Sequence, residues 1–446
     1  MIDGIIILKI NTLKDTPHIL SPVINQVQSL MTLKDKKMYT EITKCRISGS
    51  HNLIHVLSLG EQYLTGVFPK TNSEEVSKGP LDLVWCPDSG LLQMKQSYSS
   101  EEMYGDNYGY RSGLNASMVQ HLTHKIHTLE RMVKLNETDL VLDIGSNDAT
   151  LLKVYRGKHR KAGIDPTGLK FKEYYTNDIS LIPTFFSAEV FKSVFKETKA
   201  KIITSIAMFY DLENPMSFVK DIESIIDDEG IWHFEQSYMP SMLRTNSYDT
   251  ICHEHLEFYS FRVIKQLLES CGMRVMDVQM NSINGGSFAV TACKKNSSYV
   301  SNTAIINWML GQEDDMGLDT PKPYRDFEER VFKHRKNLVE LIEAIIGSGK
   351  KIFGYGASTK GNVLLQFCNL TTKHIPFIAE VNEQKFGCYT PGTHIPIISE
   401  KEARAMKPDY FLVLPWHFKN SILEREKEYI EQGGKFIFPL PEIEIV

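Results

Sequence analysis

An alternation of strand-length apolar runs with helical stretches, between residues 137 and 237, constrains the fold of this chain most. The segment "ETDLVLDIGSNDATLLKVY" (137–155) is typical of a buried strand, a glycine-containing turn and a helix. Three further apolar runs follow, "KAGIDP" (161–166), "KIITSIAMF" (201–209) and "GIWHFEQS" (230–237). Strands that alternate with helices predict a parallel α/β sheet. The later "MRVMDVQMNSINGGSFAVTACKK" (273–295) predicts two strands around an Asn-Gly-Gly turn, an antiparallel end to that sheet.

A second α/β series begins at "KKIFGYGASTKGNVLLQF" (350–367), after a helix predicted over residues 324–349. Before residue 120 the apolar runs are short and are broken by Gly, Pro and Asn, which indicates a small, strand-rich or irregular module. We therefore expect an N-terminal module (1–120), a central α/β domain (121–298) and a C-terminal α/β domain (299–446).

Composition excludes several classes of partner. The net charge is −5, and no long basic run is present, so the charge pattern does not favour binding to nucleic acid. The apolar run near the start is too short for a signal peptide or a membrane span, so we expect a cytoplasmic protein with no membrane partner. Seven scattered cysteines fit reduced thiols. The oligomeric state stays open, with a monomer as the working expectation.

The turn in "VLDIGSNDATLL" (141–152) has the features of an adenosine site. Asp143 ends a buried strand, and Gly145 lets the chain turn tightly against a ligand. The segment lacks the G-x-G-x-x-G that binds a pyrophosphate, because Asn147 stands at the second glycine position. Asp165 ends the next strand, where a carboxylate can accept hydrogen bonds from ribose hydroxyls. S-adenosylmethionine fits both features; the alternative is that Asp143 and Asp165 merely cap helices.

The segment "GYGASTKG" (354–361) allows three readings. Gly354 and Gly356 follow a strand, and Lys360 lies near a helix start, where an ammonium and backbone N–H groups can hold phosphate. The alternatives are a simple tight turn or the dinucleotide site of an oxidoreductase, for which Glu380 lies near the spacing of a ribose-binding acid. Thr359 occupies the third glycine position, which argues against the dinucleotide site.

"CHEHLEFYS" (252–260) places His253, Glu254 and His255 side by side. Three adjacent ionisable side chains are costly to bury without partners, so a cleft is favoured over a purely structural turn. Histidine is the commonest general base, and a neighbouring carboxylate can orient it or balance its charge. A metal pair is the competing hypothesis, but it lacks an evident third ligand nearby.

Taken together, these segments identify a resemblance to the S-adenosylmethionine-dependent sugar C-methyltransferases, which methylate nucleotide-linked 4-keto-6-deoxyhexoses. The motifs run in order through most of the chain: "CRISGSHNLIHVLSLGEQYLTGVF", "CPDSGLLQM", "YGDNYGYRSGLNASM", "VLDIGSNDATLL", "YDTICHEHLEFYS", "NGGSFAV", "GYGASTKGNVLL", "YTPGTHIPI" and "LPWHF". The resemblance implies a Rossmann-like class I methyltransferase domain, a second Rossmann-like C-terminal domain and a small N-terminal zinc-binding module.

The resemblance also implies roles for individual residues. It makes His255 the general base, with Glu254 beside it and Tyr108 and Tyr110 closing over the sugar. The implied cofactor site comprises Asp143, Gly145, Asn147, Asp148, Asp165 and Pro166. The implied substrate site comprises Arg111, Ser112, Asn284, Gly285, Gly286, Ser287, Tyr355, Ser358, Lys360, Asn362 and Trp416.

The implied reaction is methylation at C3 of a nucleotide-linked 4-keto-deoxyhexose through an enolate formed by the base, as a step of deoxysugar biosynthesis. Two departures from the family pattern leave O- or N-methylation of a related nucleotide sugar as the alternative. Cys252 stands where a tyrosine usually precedes the His-Glu-His sequence, and Tyr210 with Asp211 stands where the family often has a histidine. An NAD-dependent sugar oxidoreductase is the third function considered.

The third departure concerns zinc. The family's zinc site uses two C-x-x-C pairs, but here Cys45 and Cys86 are each followed three residues later by a serine, Ser48 and Ser89. Serine is a poor zinc ligand, so the site is incomplete and we expect zinc to be absent or substoichiometric.

Overall fold

The structure is a computed structural model that describes residues 39–99, 103 and 111–446. Contacts divide the chain into two units, residues 1–40 and 41–446, and the features analysed below lie in the second. Within the described part of the chain, no helix is both long enough and apolar enough to cross a membrane.

Seven strands form the central sheet of the molecule. They are β6 (Leu140–Ile144), β7 (Arg160–Ile164), β8 (Ile179–Ile182), β9 (Ala200–Ile206), β10 (Ile226–Ser237), β12 (Met273–Asn281) and β13 (Ser287–Lys294). Their order is β12-β13-β10-β9-β6-β7-β8. Strands β6 to β10 are parallel, and β13 runs antiparallel to both of its neighbours. This is the sheet of a class I methyltransferase, which confirms the expected fold, including the antiparallel end around the Asn-Gly-Gly turn.

Five helices accompany this sheet: α1 (Ala116–Met132), α2 (Ala188–Phe195), α3 (Pro215–Ile225), α4 (Met239–Thr245) and α5 (Phe261–Ser270). Local sequence explains where they begin. The Asn115 side chain accepts hydrogen bonds from the first backbone N–H groups of α1, and Ser260 caps α5 in the same way. Helix α1 then buries Leu122, Ile126 and Leu129, which share one helical face.

The N-terminal strands are β1 (Tyr39–Glu41), β2 (Ile54–Tyr63), β3 (Lys78–Trp85), β4 (Leu92–Met94) and β5 (Gln96–Tyr98). Strands β2, β3 and β4 form an antiparallel sheet. Its fourth strand comes from much later in the chain, because β11 (Glu257–Phe258) pairs with β4. The end of the His-Glu-His segment is therefore attached to the N-terminal sheet.

The C-terminal part contains a second α/β sheet. Its strands are β14 (Ile352–Tyr355), β15 (Ile378–Glu380), β16 (Ile397–Ser399), β17 (Tyr410–Val413), β18 (Lys435–Phe438) and β19 (Glu444–Ile445). Their order is β16-β15-β14-β17-β18-β19, parallel except for β19, which is a Rossmann-like arrangement. The helices are α6 (Thr303–Met316), α7 (Lys322–Gly347), α8 (Thr359–Phe367), α9 (Glu400–Ala405), α10 (Lys419–Arg425) and α11 (Lys427–Glu431).

One hydrophobic core joins the N-terminal sheet to the C-terminal sheet. Buried residues of β2 and β3 belong to the same cluster as buried residues of α7, β14 and β17. Trp85 of β3 stacks on Tyr324 of α7 with ring centroids 4.8 Å apart. Cys252 and Leu256 lie in this cluster as well, so the His-Glu-His segment is held where the N-terminal, central and C-terminal parts meet.

Candidate active site

The turn after β6 needs a glycine for its backbone conformation. Gly145 has φ +74, a backbone conformation that side chains disfavour, and its N–H donates to the carbonyl of Ile164 at 2.9 Å. A Cβ at this position would lie 3.2 Å from Cγ of Met208. Any other residue at position 145 would therefore strain the backbone and press on Met208, so the shape of this turn depends on the glycine.

Two buried carboxylates flank this turn. Asp143 is 3% exposed, and the Thr204 hydroxyl donates to its Oδ1 at 2.6 Å. Burial raises the pKa of Asp143 to about 7, against the opposing hydrogen bond from Thr204. Asp165 accepts the N–H of Asn147 at 2.8 Å, and the N–H and hydroxyl of Thr167 at 2.6 Å each. Because a carboxylate offers about four acceptor positions, Asp165 can accept one further hydroxyl.

Arg111 and Ser112, which were predicted at the sugar, lie against the turn after β6. The Ser112 N–H donates to Oδ1 of Asn147 at 3.0 Å. The Gly113 N–H donates to Oδ2 of Asp148 at 3.0 Å, and Nε of Arg111 lies 3.6 Å from the same oxygen. Asn147 and Asp148 therefore hold the segment that leads into α1.

Three other residues were predicted for the cofactor or the sugar. Pro166 lies two residues after the end of β7 and is half-buried. Tyr108 and Tyr110, expected to close over the sugar, lie outside the residues that the structure describes.

The His-Glu-His loop, residues 251–256, connects the 3₁₀ turn Tyr248–Thr250 to β11. The half-buried His255 places Nδ1 2.7 Å from the carbonyl oxygen of Thr250, and its ring centroid lies 4.3 Å from that of Tyr210. A carbonyl only accepts, so Nδ1 carries the proton and Nε2 carries the lone pair. Burial, followed by the positive charge of Lys360, lowers the pKa of His255 to about 4. At neutral pH the ring is therefore an uncharged base.

The two neighbours of His255 have different surroundings. His253 is fully buried, its Nε2 lies 3.1 Å from the carbonyl oxygen of Gln62, and burial lowers its pKa to about 4. This contact fastens the loop to the N-terminal sheet. Glu254 is half-buried; its Oε1 would lie 2.7 Å from a Cβ placed on Gly66, and burial raises its pKa. Burial, followed by the charge of the Glu254 carboxylate, raises the pKa of the Cys252 thiol.

Lys360 brings the C-terminal domain to this loop. Helix α8, on which Lys360 lies, packs against the turn Tyr248–Thr250, and the ammonium donates to the carbonyl of Asn284 at 2.8 Å. Asp249 is 1% exposed and accepts the indole N–H of Trp416 at 2.7 Å. Burial lowers the pKa of Lys360, and the charge of Asp249 opposes that shift. We call Asp249, Glu254, His255, Lys360 and Trp416 the junction cluster.

The Asn-Gly-Gly-Ser segment reaches this cluster through the carbonyl of Asn284, which accepts from Lys360, and through Gly285. A Cβ on Gly285 would lie 3.3 Å from the Trp416 ring. Gly286 packs against Ser241, where a Cβ would come within 2.9 Å of the serine Cβ. Ser287 is 1% exposed, and its hydroxyl donates to the main-chain carbonyl four residues earlier. Gly286 and Ser287 therefore shape the segment rather than face the cluster.

Three predicted residues of the C-terminal domain make internal contacts. Ser358 caps α8 by accepting the N–H of Gly361. Asn362 is fully buried and donates to the carbonyl of Thr65 at 2.7 Å, which joins α8 to the N-terminal module. The Tyr355 hydroxyl donates to Glu426 at 2.8 Å. Of this domain's predicted residues, Lys360 and Trp416 are the ones that the structure brings to the junction cluster.

Sequence reasoning missed two groups at the site. The carbonyl of Thr250 orients His255, a task that the sequence assigned to Glu254, and a main-chain carbonyl has no sequence signature. His417 adjoins the cluster; burial, then the charge of Lys360, lowers its pKa to about 3. The motif "LPWHF" that contains His417 is part of the family resemblance, but the resemblance implies a site role only for Trp416.

Three known family models match successive segments of the chain. The model "Putative zinc binding domain" matches residues 45–104, "Methyltransferase domain" matches 118–278, and "C-methyltransferase C-terminal domain" matches 282–441. The curated protein C-methyltransferase NovU of Streptomyces niveus is 30% identical over 411 residues, which cover 91% of this chain and 97% of that protein. The chain therefore belongs to the C-methyltransferase family and is an S-adenosylmethionine-dependent C-methyltransferase, as the motifs predicted.

Solved structures give weaker likenesses. Magnesium protoporphyrin IX methyltransferase from Synechocystis, solved with bound SAH, has a TM-score of 0.31 at 15% identity, covering 43% of this chain and 91% of that one. The plantazolicin methyltransferase BpumL has a TM-score of 0.32 at 13% identity, covering 40% and 82%.

The turn after β6 fits S-adenosylmethionine by its own chemistry. Gly145 allows the turn its positive φ, which brings the backbone round between the ends of β6 and β7. Asp143 and Asp165 place carboxylates at the ends of adjacent strands, which suits a ligand that has ribose hydroxyls. The absence of a glycine at position 147 suits a cofactor that has no pyrophosphate.

Proposed function

We propose that this enzyme methylates C3 of a nucleotide-linked 4-keto-deoxyhexose, after His255 has removed the C3 proton, in deoxysugar biosynthesis. The observation that carries the proposal is the state of His255. Its Nδ1 proton is donated to Thr250, and its low pKa keeps the ring neutral, so Nε2 is a free base at physiological pH. The described residues provide no hydrogen-bond partner for Nε2, which leaves it available to a substrate C–H.

A carbon beside a ketone can be deprotonated when the enolate oxygen is stabilised. The junction cluster supplies positive charge for an anionic substrate, because the Lys360 ammonium lies close enough to lower the pKa of both His255 and His417. We assign Lys360 to the diphosphate side of the nucleotide sugar and Trp416, held by Asp249, to the wall of the same site. Glu254 is assigned to balancing the imidazolium that forms when His255 takes the proton.

S-adenosylmethionine supplies the methyl group from its sulfonium. We propose that Asp143, Gly145 and Asp165 hold it at the carboxyl end of β6 and β7, with Asn147, Asp148 and Pro166 shaping the turn. Asp165 then accepts a ribose hydroxyl in addition to its three internal donors.

The proposed division of labour follows the three modules 1–120, 121–298 and 299–446. The central domain binds the methyl donor and carries the base. The C-terminal domain contributes Lys360 and Trp416 to the nucleotide sugar. The N-terminal module contacts His253 through Gln62, and so supports the loop that carries the base.

Product analysis tests this function. The full chain is incubated with methyl-labelled S-adenosylmethionine and a nucleoside diphosphate-linked 4-keto-deoxyhexose, and the product is examined by NMR. The proposal expects a new carbon–carbon bond to the methyl group at C3 and loss of one C3 proton. A methyl group on oxygen or nitrogen, with the C3 protons retained, would contradict it and favour the alternative acceptor.

A further inference from the structure

Two loops of the N-terminal module have the same backbone design. We call residues 45–49 and 86–90 the cysteine loops. Each begins with its cysteine and ends with a glycine whose N–H donates to the carbonyl of that cysteine, at 2.9 Å for Gly49 and 2.8 Å for Gly90. Both glycines have positive φ, +70 and +74. Such paired turns are the usual way to present two C-x-x-C halves of a zinc site to each other.

The side chains of the two loops meet in crossed pairs. Sγ of Cys45 lies 3.2 Å from Oγ of Ser89, and Oγ of Ser48 lies 3.6 Å from Sγ of Cys86. Both thiols are buried, at 3% and 0% exposure. Each serine therefore occupies a ligand position in one loop and is hydrogen-bonded to the thiol of the other loop.

This set of donors does not fit zinc. A structural zinc site takes four Cys or His ligands, sometimes Asp or Glu, and here two of the four converging groups are neutral hydroxyls. His51 and Asp88 do not complete the set: both are exposed, with Nδ1 of His51 2.9 Å from the carbonyl oxygen of Thr43 and Asp88 accepting from Ser50 and Asn52. Among residues 39–99, 103 and 111–446, no three His, Cys, Asp or Glu side chains are grouped to hold a metal.

We propose that the matched zinc-binding module is metal-independent in this enzyme, with the Cys45–Ser89 and Ser48–Cys86 hydrogen bonds closing the two loops in place of the ion. The four side chains meet in two crossed contacts, of 3.2 and 3.6 Å. We therefore expect cysteines at positions 48 and 89 to create a zinc site.

Closing these loops also fixes an arginine that supports the active-site loop. Arg46, next to Cys45, donates to the carbonyl of Met94 at 2.6 Å, and its Nε lies 3.6 Å from Oε1 of Glu257. Both of these side chains are almost fully buried. Glu257 begins β11, two residues after His255, so the hydrogen-bonded loops help to place the strand that ends the His-Glu-His loop.

The test compares full-length wild type with the double variant Ser48→Cys/Ser89→Cys. Both are dialysed against EDTA, transferred to reducing buffer and titrated with zinc chloride against a chelating dye. We expect no tight zinc in the wild type, and about one zinc per chain with a raised thermal midpoint in the double variant. Adding Cys45→Ser to the double variant should abolish that binding.

Two results would overturn the proposal. One is a wild type that holds one zinc per chain, or that loses thermal stability on EDTA treatment, since other residues would then complete the site. The other is a double variant that retains wild-type circular dichroism and methyl transfer but binds no zinc, since the four positions would then not converge. Methyl transfer by EDTA-treated wild type, equal to that of untreated enzyme, supports metal independence.

Discussion

The main-chain carbonyl of Thr250 accepts the Nδ1 proton of His255 at 2.7 Å. This contact fixes the tautomer of the imidazole and leaves the lone pair on Nε2, the nitrogen that must act if His255 is the base. The turn that supplies the carbonyl packs against the helix that carries Lys360, so one short segment of backbone connects His255 with the C-terminal domain.

Gly145→Ala should weaken S-adenosylmethionine binding about tenfold or more, because φ +74 disfavours a side chain and a Cβ would press on Met208, so the turn would have to shift. Isothermal titration calorimetry measures the effect. Gly272→Ala is the matched control, since Gly272 has φ +78 and a Cβ there would have only one neighbour within 4 Å, at 3.8 Å. Equal cofactor affinity in both variants and the wild type would remove the assignment of this turn.

Lys360→Ala should raise the KM for the nucleotide sugar about 10- to 100-fold, since a charge-assisted hydrogen bond contributes about 1.5–3 kcal/mol. The affinity for S-adenosylmethionine should not change, because the cofactor turn belongs to the central sheet. Lys350→Ala, which removes an exposed ammonium paired with Asp409 before β14, is the control. An unchanged KM in steady-state kinetics would indicate that the segment 354–361 is a structural turn with no contact to phosphate.

The pH profile of kcat/KM should show a low acid limb. Burial, and then Lys360, lower the pKa of His255 to about 4, so the neutral base is present above that pH and is lost as the pH falls through it. We expect a rate that is level from pH 8 to about pH 5 and then falls about tenfold per pH unit. Lys360→Ala removes the charge that lowers the pKa, so its acid limb should move to higher pH. An acid limb that Lys360→Ala does not move would separate this lysine from the base.

Stability should fall as the pH drops below about 6.5. His233 is 4% exposed, and burial lowers its pKa to about 3, whereas in the unfolded chain the value is about 6.5. Between these values the unfolded chain binds more protons, so stability present at pH 7 is lost on acidification, at about 1.4 kcal/mol per pH unit for each such histidine. Urea denaturation at pH 7 and pH 5 measures the slope. His233→Gln should reduce the dependence of the unfolding free energy on pH, and the exposed control His124→Gln should not. The same pH dependence in His233→Gln and wild type would show that His233 does not contribute to it.

The fold was accessible from the sequence because it depends on local periodicity. The apolar residues of β6, four of its five, and the Asn-Gly-Gly turn between β12 and β13 each predict their own structure. The attachment of β11 to β4 was not accessible, because only two residues pair and their partners lie more than 160 positions earlier.

The site was accessible only in part. His255, Lys360 and Trp416 belong to motifs that can be recognised in the sequence, and the structure brings them together. The Thr250 carbonyl belongs to the backbone, and its role depends on the turn rather than on the side chain. Ser112 contacts Asn147 through its backbone N–H, so its place at the cofactor turn also had no side-chain signal.

Hydrogen exchange at the acceptor carbon tests the central claim most directly. The enzyme is incubated in deuterated water with the nucleotide 4-keto sugar and S-adenosylhomocysteine, so that C3 can lose its proton but cannot be methylated. Wild type should introduce deuterium at C3. His255→Gln should fold, bind both ligands and slow this exchange by about 10²-fold or more, with a smaller loss for Glu254→Gln. Exchange at the wild-type rate in folded His255→Gln would contradict the account and place the base on another residue.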